Sequence, residues 1–192
     1  DGGVMQLSEL LDSVTEYAYQ KMRTSNVFDE HERRENAEKI GVAAIKFGDL
    51  INHYSKDCIF DIDKFMASEG KTGAYLLYVI ARINSILRKI PTSELPEKKI
   101  NGIYSDSERD LIMVLSLSGI AFVSAYNEKA PNIVCENAYK IAVAFSKFYQ
   151  ENHIINEDNM EKKQSWLTLC EITKQILEKH LYVLGIESVE RM

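Results

Sequence analysis

The stretch GKTGAYLLYVIARINSILRKI, residues 70–90, decides the reading of this chain. Wound at about 100° per residue, it puts Leu76, Val79, Ile80, Ile83, Ile86, Leu87 and Ile90 on one apolar arc, which predicts a helix from about Thr72 to Ile90 that Pro91 stops. The opposite side carries Tyr75, Tyr78, Arg82, Ser85 and Lys89. Two rings and two cations share a face with no apolar reason for burial. Such a face suits unpaired nucleic-acid bases, because a tyrosine ring stacks on any base and a guanidinium binds phosphate or lies on a base plane. The residues alone leave a second reading open, in which both tyrosines pack against a neighbouring helix with their hydroxyls at the rim.

The same period extends in both directions. One helix starts after Ser8, with Leu10, Leu11, Val14, Tyr17, Ala18 and Met22 on its buried side. A second starts near Asp29 with a capping box to Glu32 and buries Ala37, Ile40, Ala44, Phe47 and Ile51. Alternation with period two is confined to Cys58, Phe60 and Ile62, and a short helix follows from about Asp63 to Gly70. Past Pro96 and Gly102, Ser105 and Glu108 form another capping box that opens a helical region to about Glu128, bent or broken near Gly119. Two more helices read from about Asn132 to Tyr149 and from about Lys163 to Leu184, the last closed by Gly185. The expected fold is all-α, a helical bundle preceded by a helical connector.

Over the 192 residues the net charge is −6, which at first argues against nucleic acid. Distribution matters more than the sum. Residues 1–69 carry 8 basic and 14 acidic groups, 70–104 carry 6 and 2, and 105–192 carry 9 and 13, so one basic stretch sits inside an acidic chain. On charge alone a solvated face accounts for it. Cys58, Cys135 and Cys170 are odd in number and widely spaced, which predicts free thiols and a cytoplasmic location rather than disulfides or zinc. No apolar run approaches the roughly 20 residues of a membrane span by this reading, so no membrane partner is expected. Because the chain opens at Asp1 without an initiator methionine, it is expected to be part of something longer.

Catalytic signatures are missing from this reading. HERRE at 31–35 resembles the zinc motif HExxH, but its last position is a glutamate at a helix start. Asp61 and Asp63 read as helix capping rather than an acid–base pair, with Asp63 the capping residue. Gly2 and Gly3 stand alone, so no phosphate-binding glycine loop is present. His53, His153 and His180 have no motif partner, and Cys170 falls on the apolar stripe of the last helix. No metal site is expected.

Residues 70–90, taken with IGVAAIKFGDLINHYSKDCIFDIDKFMASE at 40–69, resemble the arginyl-tRNA synthetase pattern of a GA(I/V)K(Y/F)xDL helix, an FD segment and G(N/D)TxPYLQYAxxR. FSKFYQENHII at 145–155 is similar to that family's FY segment, and LTLCEITKQILEKHLYVLGIESVERM at 167–192 to its last helix and LGIxxxxRM end. DGGVMQLSELLD at the start looks like the stretch just after the KMSKS-type loop. The resemblance, to a class I synthetase with a DALR-type anticodon-binding domain, implies a division into residues 1–68, the C-terminal end of the catalytic domain forming a helical connector that faces the tRNA stem, and residues 69–192, the anticodon-binding bundle. It implies that Tyr75, Tyr78, Arg82, Tyr149 and Met192, with its carboxylate, meet the anticodon loop of tRNA(Arg), with Lys71 and Lys89 on the phosphate backbone. It also implies a parent that joins arginine to tRNA using ATP with Mg, on a nucleotide-binding domain upstream of Asp1, this stretch itself taking no cofactor and no DNA. The chain departs from the family at Ala74, where a proline is usual, at Leu77 in YLLY, at Asn132 after Pro131, and in KKQSW at 162–166; these differences bear on base preference. The alternative expectation is a synthetase-derived helical module that docks a protein through the same face.

Overall fold

A computed structural model describes residues 6–22, 28–56, 59–91 and 98–192, and every described element is helical. The helices are α1 (Leu7–Met22), α2 (Glu30–Leu50), α3 (Ile62–Phe65), α4 (Gly73–Arg88), α5 (Asp106–Ser116), α6 (Ser118–Glu128), α7 (Asn132–Glu151) and α8 (Met160–Val183), with a 3-10 turn at Ile154–Asn156. The all-α expectation holds. Cys58 and Pro96 lie outside the described residues.

Capping chemistry sets most helix starts. The Asp29 carboxylate accepts from the Glu32 amide at 2.8 Å, Thr72 Oγ1 from the Tyr75 amide at 3.1 Å, and Ser105 Oγ from the Glu108 amide at 3.2 Å, each satisfying an N–H that the first turn leaves free. Two capping assignments are corrected. α1 begins at Leu7, so Ser8 lies inside its first turn instead of capping it. Asp61, not Asp63, caps α3 by accepting from the Lys64 amide at 3.2 Å, while Asp63 accepts from the Tyr17 hydroxyl at 2.8 Å. α8 starts at Met160, three residues before the expected Lys163, because Asn159 caps it through the Lys162 amide at 3.1 Å. Gly185 ends it with φ 67°, and the Ile186 amide donates back to the Leu181 carbonyl at 2.8 Å, the bond pattern of a left-handed helix end.

α4 and α7 form the middle of the bundle. α4 packs on α2, α7 and α8, while α7 also meets α5 and α6. Three neighbours bury more of α4 than one arc: Leu77 is fully buried along with Leu76, Ile80 and Ile83, and Ala81 and Asn84 are buried too. Phe47 from α2, Phe145 and Phe148 from α7 and Leu167 from α8 complete a core that runs without interruption from Ala18 to Val189. Cys135 and Cys170 lie in it as free thiols, and burial pushes the Cys135 thiol up to about 12.

The break expected near Gly119 falls at Leu117. Residues 106–128 contain an 18-residue window of mean hydropathy 1.4 and are, by length and composition alone, apolar enough to cross a membrane, which corrects the expectation that no run comes close. The interruption leaves two helices of 11 residues each, against the roughly 20 a span requires.

His180 is fully buried, one ring nitrogen 2.7 Å from the Ile176 carbonyl and the other 2.7 Å from the Asn137 side-chain oxygen, with the Phe122 ring 4.5 Å away. Burial holds its pKa below the ordinary histidine value. The native ring therefore stays neutral where the unfolded chain, titrating near 6.5, binds a proton. Stability should fall as pH drops below that value, by at most about 1.4 kcal/mol per pH unit from this group, until the native ring titrates. Urea unfolding between about pH 7 and about pH 5 checks this: His180→Gln should show a shallower pH slope than the parent.

Candidate nucleic-acid interface

Thr72 begins the site. Its hydroxyl caps α4 and donates to the Ala67 carbonyl at 2.7 Å, tying the helix start to the loop before it. Gly73 then presses on α2, where a Cβ would stand 2.2 Å from the Ala43 carbonyl oxygen. This contact fixes the height of Tyr75, Tyr78 and Arg82 over the bundle.

The two tyrosines differ. The Tyr75 ring is half-buried between α4 and α7, edge-on to Tyr139 at 6.1 Å, with its hydroxyl 2.9 Å from Ser146 Oγ and donating to the Ala142 carbonyl at 3.4 Å. For that residue the packed arrangement left open by the sequence is the one found. Tyr78 is 36% exposed. Arg82, one turn on, lays its guanidinium 4.5 Å from the Tyr78 centroid and 5.3 Å from the Tyr149 centroid, and donates to the Tyr78 hydroxyl. Tyr149 is anchored by near-parallel stacking on the core ring of Phe145 at 6.3 Å. One cation thus joins rings from α4 and α7.

A groove lies on each side of this cluster. The first, of about 450 Å³, is lined by Tyr75, Tyr78, Arg82, Tyr139, Ser146 and Gln150 and rimmed by residues 68–70. The second, of about 350 Å³, is lined by Tyr78, Arg82, Ser85, Arg88, Tyr149, Arg191 and Met192. The structure therefore brings together five of the seven residues singled out in the sequence. Met192 also walls a third cavity, of about 410 Å³, floored by Ala18, Met22, Ile40, Met66 and Ala74.

The remaining two do not line either groove. Lys71 is ion-paired with Glu136 at 2.6 Å and lies 5.7 Å from the Tyr139 centroid. Lys89 caps the C-terminal end of α4 and is exposed. Tyr139, Ser146, Gln150 and Arg191 line the grooves without having stood out in the sequence, whereas Arg88 belongs to the basic stretch 70–104. The first three fall at intervals of seven and four residues, one narrow side of α7, and that spacing was a usable signal. Among the described residues no group of three or more His, Cys, Asp and Glu is arranged to hold a metal ion.

Aromatic rings with an arginine between them and open grooves to either side make a surface suited to planar, partly charged ligands.

A family model described as "DALR anticodon binding domain" matches residues 76–192. The chain is 41% identical over 193 residues to an arginine–tRNA ligase of Alkaliphilus oremlandii, covering 100% of this chain and 33% of that protein. It is 37% identical over 203 residues to an arginine–tRNA ligase of Agathobacter rectalis, covering 100% and 34%. The chain thus spans about a third of the length of the curated relatives it matches. Among solved structures, Thermus thermophilus arginyl-tRNA synthetase superposes with a TM-score of 0.90 at 22% identity, covering 100% of this chain and 33% of that one, and shows the same fold. Plasmodium falciparum arginyl-tRNA synthetase superposes with a TM-score of 0.82 at 27% identity, covering 98% and 34%.

Proposed function

The chain belongs to the DALR anticodon-binding domain family, and from that premise we propose that the face built on α4 grips the anticodon loop of tRNA(Arg) as part of an arginine–tRNA ligase. The observation that carries this reading is the placement of Arg82 between Tyr78 and Tyr149 with an open groove on either side. Arg82 covers one face of the Tyr78 ring, so an incoming base stacks on the other face or on the guanidinium plane itself. Each stacked base contributes about 1–3 kcal/mol, and phosphate contacts from Arg88 and Lys89 add a salt-dependent part. Tyr75 braces the groove through α7 and offers its rim rather than a free face.

In this reading residues 69–192 are the anticodon-binding bundle and residues 1–68 a connector facing the tRNA stem. The parent joins arginine to tRNA(Arg) with ATP and magnesium in the cytoplasm. The described residues offer neither a glycine-rich phosphate loop nor a metal-holding cluster, so arginine activation is assigned to the rest of the synthetase and no step of it is placed on these side chains.

Titration of labelled tRNA(Arg) at two salt concentrations tests the reading. Affinity should fall on the order of tenfold between about 50 mM and about 200 mM salt, the loss for two or three phosphate contacts. The acidic balance and the capture of Lys71 by Glu136 favour one competitor, a module that docks a protein on the same face. That competitor requires absent or salt-independent tRNA binding.

A further inference from the structure

Residues 186–192 run back from α8 across α4 and α2 and are held at nearly every step. Ile186 and Val189 are buried. The Glu190 carbonyl accepts from Asn84 Nδ2 at 3.2 Å and from Arg88 at 3.1 Å, both on α4. The Arg191 guanidinium meets both carboxylate oxygens of Glu32 on α2, at 2.6 and 2.8 Å, and lies 5.6 Å from the Phe28 centroid. Asn36, one turn further along α2, donates to the Arg191 carbonyl at 3.5 Å. The next residue is Met192, which stands where the groove beside Tyr78, Arg82 and Tyr149 meets the cavity floored by Met22 and Ile40.

We infer that Glu32 is a positioning residue for the binding face: acting through Arg191, it fixes Met192 as a wall of the groove. This rests on the anticodon-loop reading of the face and extends it to α2, which precedes the region matched by the family model. Both partners are partly exposed, 41% for the Arg191 side chain and 30% for Glu32. An ion pair of that exposure contributes little to folding, so its role is to place Met192, the residue next to Arg191. Without the carboxylate, the two bonds to Arg191 weaken, Met192 spreads over several positions, and a loop that meets it must order it again.

The test is Glu32→Gln in the 192-residue chain, read by tRNA(Arg) binding and by thermal unfolding. The dissociation constant should rise about fivefold, the loss of one charge-assisted contact, with the unfolding midpoint unchanged. Removing Met192 should give a similar loss, and adding Glu32→Gln to that deletion should cost nothing more, because both act on one element. Exchanging the charges, Glu32→Arg with Arg191→Glu, should restore most of the affinity. Wild-type binding by Glu32→Gln, while Tyr78→Ala and the Met192 deletion both weaken it, overturns the inference and leaves the anticodon-loop reading standing. Additive losses, or a midpoint that drops with Glu32→Gln, make the residue structural and overturn it as well. If Tyr78→Ala and the deletion both bind as the parent does, the reading of the face falls, and the inference with it.

Discussion

Tyr78→Ala should weaken tRNA(Arg) binding by about tenfold to a hundredfold, the loss of one stacked base, and leave the fold in place. The ring is 36% exposed and its neighbour Arg82 reaches a second ring at Tyr149, so truncation leaves no sealed cavity and no unpartnered buried group. The stability lost is the cation–π contact and part of a half-open surface, about 0.5–1 kcal/mol. Tyr78→Phe keeps the stacking plane and should bind within about threefold of the parent, the hydroxyl contributing one exposed contact. Tyr75→Ala behaves differently, because its ring and hydroxyl are engaged by Tyr139, Ser146 and Ala142. It should lower the unfolding midpoint as well as affinity. Filter binding beside thermal unfolding separates the two residues. Unchanged affinity with a collapsed midpoint for Tyr78→Ala would make that ring core and remove the basis for the binding face.

Gly73→Ala should be among the most damaging single-methyl additions in the chain. The new Cβ would lie 2.2 Å from the Ala43 oxygen and 2.5 Å from its carbonyl carbon, so backbone rather than a mobile side-chain tip stands in the way. α2 and α4 must move apart, and the layer of Phe47, Leu76 and Ile80 between them loosens. Overpacking of this kind costs about 3 kcal/mol, which for a chain of this size lowers the unfolding midpoint by roughly 6–12 °C. Affinity for tRNA should fall with it, since Tyr75 and Tyr78 ride on the displaced turn. Urea unfolding measures the first effect and titration below the new midpoint the second. A variant as stable as the parent would contradict the packing described for α2 and α4.

How much was legible in the sequence depends on the range of the interaction. The caps at Asp29, Thr72 and Ser105 and the stop at Gly185 are local chemistry over three or four residues, and the chain states them directly. The polar side of α4 was legible too, since Tyr78, Arg82 and Ser85 stand opposite its apolar arc. Burial of Leu77 was not, because a helical wheel assumes one covered side and α4 is covered on three. The Asp61 and Asp63 pair offered two caps two residues apart, and the hydroxyl of Tyr17, 46 residues away in sequence, engages Asp63. Gly119 looked like the weak point of residues 105–128, yet the turn tightens at Leu117 and nothing approaches the glycine.

In the site, the residues that matter to one another are far apart in the chain. Lys71 looked available for phosphate until Glu136, 65 residues later, was found beside it. The central position of Arg82 depends on Tyr149 arriving from α7, 67 residues later. The hold on Met192 by Glu32 through Arg191 spans 159 residues and leaves no local trace.

The most direct test of the central claim is titration of this chain with tRNA(Arg) and with the same tRNA carrying substituted anticodon-loop bases, each also measured with Tyr78→Ala. The base changes should weaken binding to the parent chain and make little further difference once Tyr78 is gone. Equal affinity of the parent for both tRNAs, or no binding of either, would contradict the claim.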